Sequence, residues 1–182
     1  MPRIELLNDK SLLPEEQHAE FDAIVEVLHR VGGPFAILLR SPGLAQKVMA
    51  AGAQVRLGSI LESKQRELTI LAVAREKDGA YEWASHVETA RKGGLGEETI
   101  EAVRHAADVS GLPDDDRDIV EYVRQLLRTN KVEQPLFDAL RERKGERWLV
   151  ELTATIGQYQ YITAINNAFD LQPAPDADQL PV

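Results

Sequence analysis

Between Arg66-Glu67 and Arg75 the chain runs Leu68-Thr69-Ile70-Leu71-Ala72-Val73-Ala74, and a helix built on that run has almost no polar face. Such a helix is buried all round, so the remaining segments must wrap it. Their spacing suits that task. Ser63 precedes the apolar helix and Asp78-Gly79 breaks it. Upstream, Pro14-Glu15-Glu16 opens a run with Phe21, Ile24, Val25 and Leu28 at intervals of three and four, closed by Gly32-Gly33-Pro34. Ser41-Pro42 starts a helix ending near Gly58. Downstream, Tyr81 to Lys92 ends at Gly93-Gly94, Glu97-Glu98 leads another helix, and Asp114 to Asp116 supplies an acidic helix start. Gln134-Pro135 opens a short helix to about Arg143, and Arg147 to Leu171 makes a long final one. No segment shows the strict two-residue alternation of a strand. The expectation is an all-α bundle of seven to eight helices, one domain over residues 1–171, followed by an acidic, proline-rich tail over 172–182.

A formal charge of -9 makes the average surface repel phosphate backbones and anionic lipid. Nucleic acid and membranes are therefore not expected partners. A small anionic molecule is compatible with the chain only through a local cationic pocket, with Arg56, Lys64, Arg75 and Arg91 as candidate cations. The absence of cysteine removes disulfides, thiolate metal sites and thiol redox cycles. The N-terminus is polar and acidic, and no apolar run approaches the roughly 20 residues of a membrane span. The expected location is the cytoplasm.

Glu82 and His86 are four residues apart and share a helix face, and Glu67 sits near the start of the apolar helix before them. His86 falls at the edge of the stripe formed by Trp83, Val87 and Ala90. If the preceding helix is buried, Glu67 needs a partner or a raised pKa. Three readings fit this spacing. The pair can be an ordinary helix-stabilising contact at the surface, with Glu67 favoured by the helix dipole. It can be an acid-base site in which His86, Glu82 and Glu67 move protons. Or the three can ligate a metal, although a second histidine and an HExxH arrangement are absent.

The segment from Glu67 through LTILAVA, the Gly79-Ala80-Tyr81-Glu82-Trp83 turn, His86 and the following ARKGGL resembles the core of the carboxymuconolactone decarboxylase and alkylhydroperoxidase D superfamily. In the peroxidase branch a glutamate precedes a CxxC pair, and a histidine follows four residues after the second cysteine. On this sequence the glutamate falls on Glu67, the two cysteines on Gly79 and Glu82, and the histidine on His86. Both sulfurs are missing, and neither glycine nor glutamate can attack an O–O bond. The resemblance therefore implies the decarboxylase side: cofactor-free acid-base catalysis, a decarboxylation or isomerisation, on a small oxoacid or lactone. In that role His86 is the general acid, Glu82 orients it, Glu67 relays protons, and Tyr81 or Trp83 walls the substrate pocket. No cofactor and no metal are implied. Homo-oligomers, as dimers, trimers or hexamers, are. The alternatives are an inactive helical scaffold or binding protein of the same superfamily, or a metal-dependent enzyme using Glu67, Glu82 and His86.

Overall fold

The computed structural model describes residues 2–181, which form nine α-helices and no strand. Two single-turn 3-10 helices, Lys10–Leu12 and Glu15–Gln17, lead into α1 (His18–Leu28). His29, in the left-handed region at φ 63°, stops α1. Pro34 then opens α2 (Pro34–Leu38), since at the first helical position a missing N–H costs nothing. Gly32-Gly33-Pro34 thus closes one helix and starts another, which is why there is one helix more than the spacing predicts. The others are α3 (Pro42–Leu57), α4 (Ser63–Glu76), α5 (Ala80–Lys92), α6 (Glu97–Arg104), α7 (Asp114–Thr129), α8 (Gln134–Lys144) and α9 (Glu146–Ala168). None of these helices is long and apolar enough to cross a membrane.

The apolar helix α4 is the axis of the fold, packing against α5, α6, α7 and α9. Leu68, Ile70, Leu71, Val73 and Ala74 are completely buried there, together with Trp83 of α5, Ile100 of α6 and Leu152 of α9. Truncating a side chain such as Leu71 in such packing costs about 2–5 kcal/mol. The start of α4 is fastened through Gln65, whose Oε1 accepts from the Glu62 backbone N–H (3.2 Å) and from Trp148 Nε1 (3.0 Å). A second, smaller core gathers Phe21 and Ile24 of α1, Ala36 and Leu38 of α2, Ala45 and Met49 of α3, and Ile162 of α9. The long helix α9 contributes to both, so a seam between the two cores runs along it.

The C-terminal segment departs from the expected free tail. Leu180 is buried in the larger core. Asp178 accepts from Arg104 Nη1 (2.5 Å) and Trp83 Nε1 (3.2 Å) through Oδ1, and from Arg91 Nη1 (2.9 Å) through Oδ2. The Arg75 guanidinium donates to the Pro181 carbonyl. Composition alone suggests disorder, yet one apolar anchor and one carboxylate that neutralises two arginines suffice to dock the segment on α5 and α6. The termini of the expected ranges, Met1 and Val182, lie outside the described residues.

The Arg104 hydrogen bond, against partial burial and helped by Arg91 and Trp83, holds the Asp178 carboxyl down at about 2. A depressed folded pKa contributes stability that is full above the unfolded value near 3.8 and is lost as pH falls through the folded value. After discounting for solvent screening, Asp178→Asn is expected to lower stability by about 1–2 kcal/mol at pH 7. Thermal melts of both proteins should converge as pH drops from about 4 towards 2. A gap that is equally wide throughout that range would contradict the docking geometry.

Candidate functional site

The Asp78-Gly79 turn folds α4 and α5 into a hairpin that brings Glu67 against His86. Asp78 adopts φ 49°, and the Gly79 N–H bonds back to the Ala74 carbonyl at 2.7 Å. Across the hairpin, His86 Nδ1 lies 2.7 Å from Glu67 Oε2. On the other side of the ring, His86 Nε2 lies 3.5 Å from Glu82 Oε2, one helical turn away. From α9, Asn166 Nδ2 donates to Glu82 Oε1 at 2.7 Å, and the Tyr159 ring meets the imidazole edge-on at 5.2 Å between centroids. Arg66 Nε stands 3.5 Å from the second oxygen of Glu67. Glu67, Glu82, His86 and Asn166 are exposed by 3, 4, 8 and 0 %, so the reading of Glu82 and His86 as a surface pair does not survive.

Burial alone pushes the His86 imidazolium towards deprotonation. The hydrogen bonds to Glu67 and Glu82, with their negative charges, outweigh it and raise the pKa to about 9. Burial likewise opposes ionisation of Glu67, but the His86 hydrogen bond and the charges of His86, Arg66 and Arg56 hold its carboxyl below the usual range. Both shifts favour an imidazolium paired with the Glu67 carboxylate at neutral pH. Among the described residues no group of three or more His, Asp or Glu side chains has metal-binding geometry.

His86 and Glu82 form one wall of a cavity of about 490 Å³ lying in the seam between the two cores. Phe35, Met49, Tyr81, Tyr159 and Ile162 supply its apolar surface. Tyr81 is thus where the sequence places it, and its hydroxyl pKa is raised by burial and by the neighbouring Glu82 charge. Trp83 is not: it is wholly buried on the opposite side of α5, with Arg104 4.9 Å above its ring and Asp178 on its N–H. One residue along a helix turns a side chain by about 100°, which separates Glu82 from Trp83.

Of the four candidate cations, Arg56 alone lines the cavity. Lys64 pairs with Asp116 at 2.9 Å, Arg75 with Asp78 at 2.7 Å, and Arg91 with Glu97 and Asp178. Arg30, from the α1–α2 connection, joins Arg56 on the cavity wall, and neither has an ion-pair partner among the described residues. The single acidic side chain on the wall is Glu82. Arg30, Tyr159 and Asn166 were not legible as site residues, because each arrives from a helix or loop remote in sequence.

Gly79 has φ -86°, a conformation open to any residue, so its lack of a side chain answers to space. A Cβ there would lie 2.8 Å from Thr163 Cγ2 and 3.2 Å from Ala74 Cα. Thr163 therefore fills the volume a first cysteine would need.

Residues 42–116, which include Glu67, Glu82 and His86, match the carboxymuconolactone decarboxylase family. That segment is similar to the carboxymuconolactone decarboxylase family, and the chain as a whole has the AhpD-like fold. No functionally curated protein matches the sequence. Among solved structures, an alkylhydroperoxidase AhpD core protein from Ralstonia eutropha JMP134, described as peroxidase-related, superposes with a TM-score of 0.77 at 16% identity, over 96% of this chain and 93% of that one. A peroxidase-related protein from Silicibacter sp. TM1040 gives 0.76 at 18% identity, over 99% and 96%. A variant of the debrominase Bmp8 in complex with 2,3,4-tribromopyrrole gives 0.69 at 13% identity, over 96% and 95%. At these identities the likeness is one of fold. The AhpD-like frame is present, while the position of its first cysteine is closed by packing.

Gly79→Ala is expected to lower stability by about 1–3 kcal/mol through overpacking. Thr163→Ala should recover part of that loss in the double variant, so denaturant unfolding of the four proteins should show coupling. Strictly additive effects would mean that Thr163 does not close the site.

Proposed function

We propose that this protein is a cofactor-free acid-base enzyme that decarboxylates or isomerises a small carboxylated oxoacid or lactone. The observation that carries the reading is the placement of His86, held between Glu67 and Glu82 on the wall of a cavity that also presents Arg30 and Arg56. A protonated imidazole can serve as general acid, and two unpaired guanidinium groups in a chain of net charge -9 are a local attraction for an anion. Arg56 and Arg30 would bind carboxylate, by paired N–H donors or singly, and hold the substrate carbonyl and α-carbon towards His86. Apolar contacts with Phe35, Met49 and Ile162 suit a compact unsaturated body. A fold relative that holds a tribrominated pyrrole supports a small ring as occupant.

In the decarboxylation, the bond from carbon to the departing carboxylate breaks and its electron pair moves into the adjacent carbonyl as an enolate. Carbon dioxide leaves, and the His86 Nε2 proton is delivered to the carbanionic carbon. The substrate's own carbonyl is the electron sink, so no further group is required. One proton is consumed per carbon dioxide released, and His86 must recover it from solvent. In an isomerisation Glu82, on the same wall, would take the proton from one carbon and His86 Nε2 would return one to another. Glu67 keeps the imidazolium charge favourable inside the bundle and fixes the ring orientation, in the manner of an acidic partner behind a catalytic histidine.

The test is carbon dioxide release or product isomer analysis across a panel of β-oxo acids and carboxylated lactones. On any active substrate, His86→Ala and Glu67→Gln are each expected to lower kcat by at least about a hundredfold. Arg56→Ala should act mainly on KM. Because the acid must be protonated, kcat should hold at neutral pH and fall as pH rises through about 9. Near-normal turnover in both the His86 and the Glu67 variants would remove the proposed roles.

A further inference from the structure

We infer that Asn166 is a positioning residue that dictates which oxygen of Glu82 can hold a proton, making Glu82 the route by which His86 is recharged from the cavity. Asn166 is completely buried on α9, and its amide nitrogen lies 2.7 Å from Glu82 Oε1. An amide NH2 can only donate, so Oε1 can only accept. Any proton on Glu82 must then sit on Oε2, the oxygen that faces His86 Nε2 at 3.5 Å.

The opposite end of the chain of groups is arranged differently. Glu67 accepts from Nδ1 through Oε2, and its Oε1 faces Arg66, a permanent cation that favours the ionised carboxylate. Glu67 and Arg66 do not reach the cavity wall, whereas Glu82 does. A proton in transit therefore has one exit and one entrance, both at Nε2. After His86 gives its Nε2 proton to substrate carbon, Glu82 Oε2 takes a proton from water in the cavity and passes it on to the vacated nitrogen.

Asn166 holds this geometry at a cost. Its Oδ1 is buried with no hydrogen-bond partner among the described residues, as is Thr163 Oγ1 one turn before it. A buried acceptor left unsatisfied is unfavourable, and a leucine of similar volume would avoid the penalty. Turning the amide over would satisfy nothing, since it would set a carbonyl against the Glu82 carboxylate. The other charged or titratable groups around the ring and its cavity are Arg66 and Glu67 from α4, Tyr81 from α5, Tyr159 from α9, Arg56 from α3, and His29 and Arg30 from the α1–α2 connection.

The role in turnover rests on the acid-base reading above, but the positioning can be measured without substrate. Protein labelled with 15N at histidine would be titrated by NMR as wild type, Asn166→Leu, Asn166→Ala and Glu82→Gln, with thermal melts confirming folding. Wild-type His86 is expected to lose its proton near 9. Both Asn166 variants should lower that midpoint by roughly one unit, at the low end of what a contacting opposite charge contributes. In both this follows because Glu82, without its amide donor, turns away from the ring. Glu82→Gln should shift the midpoint at least as far. A folded Asn166 variant with the wild-type midpoint would overturn the proposal, as would a Glu82→Gln midpoint that does not move. Midpoints that shift as expected, in a protein that turns over no oxoacid or lactone, would sustain the positioning and sink the enzymatic reading instead. If Asn166→Leu does not fold, the smaller Asn166→Ala decides.

Discussion

An imidazolium and a carboxylate buried between two helices survive only as a pair. The 2.7 Å contact between His86 and Glu67 bridges α4 and α5, and removing either partner would strand a charge at a cost of about 3–5 kcal/mol. Much of the architecture serves that contact. A polar α4 would let water reach Glu67 and screen the pair, whereas Leu68, Ile70 and Leu71 around it exclude solvent. The tight Asp78-Gly79 turn lets α5 return antiparallel at close range, and Tyr159 from α9 closes over the ring.

The same helices decide what the centre can react with. It lies in the seam where the core around α4 meets the smaller core of α1, α2 and α3, so the cavity has walls from elements that otherwise share little. The chain as a whole is strongly acidic, yet Arg30 and Arg56 bring positive charge to that seam. In the AhpD-like frame, proton-handling groups stand beside two thiol positions. Here one of those positions is a glutamate tied to Asn166, and the other is a glycine pressed against Thr163. The absence of sulfur is thus matched by packing on α9, and thiol chemistry could not return by one substitution without repacking that helix.

The sequence made the helical hairpin legible because two features are local: the apolar run from Leu68 to Ala74 and the four-residue spacing of Glu82 and His86. Their meeting with Glu67 was legible through the family frame, not through periodicity, since helix spacing says nothing about which turn of α4 faces α5. Trp83 was misplaced because an aromatic beside a site residue reads as a pocket wall, whereas helical rotation turns it into the core. The C-terminal segment was misread for a related reason. Its polar composition is visible, but the two arginines that Asp178 bridges lie on helices α5 and α6, far from it in sequence. Asn166 and Arg30 carry no local signal at all, and only three-dimensional proximity gives them meaning.

Neutron diffraction from crystals grown at pH 7 tests the central claim most directly, because it locates the hydrogens of the Glu67–His86–Glu82 group. Deuterium density on both Nδ1 and Nε2 of His86, with Glu67 bare, is the result expected of a buried imidazolium held by a carboxylate. Density on one ring nitrogen only, with a neutral imidazole and a protonated Glu67 or Glu82, would contradict it.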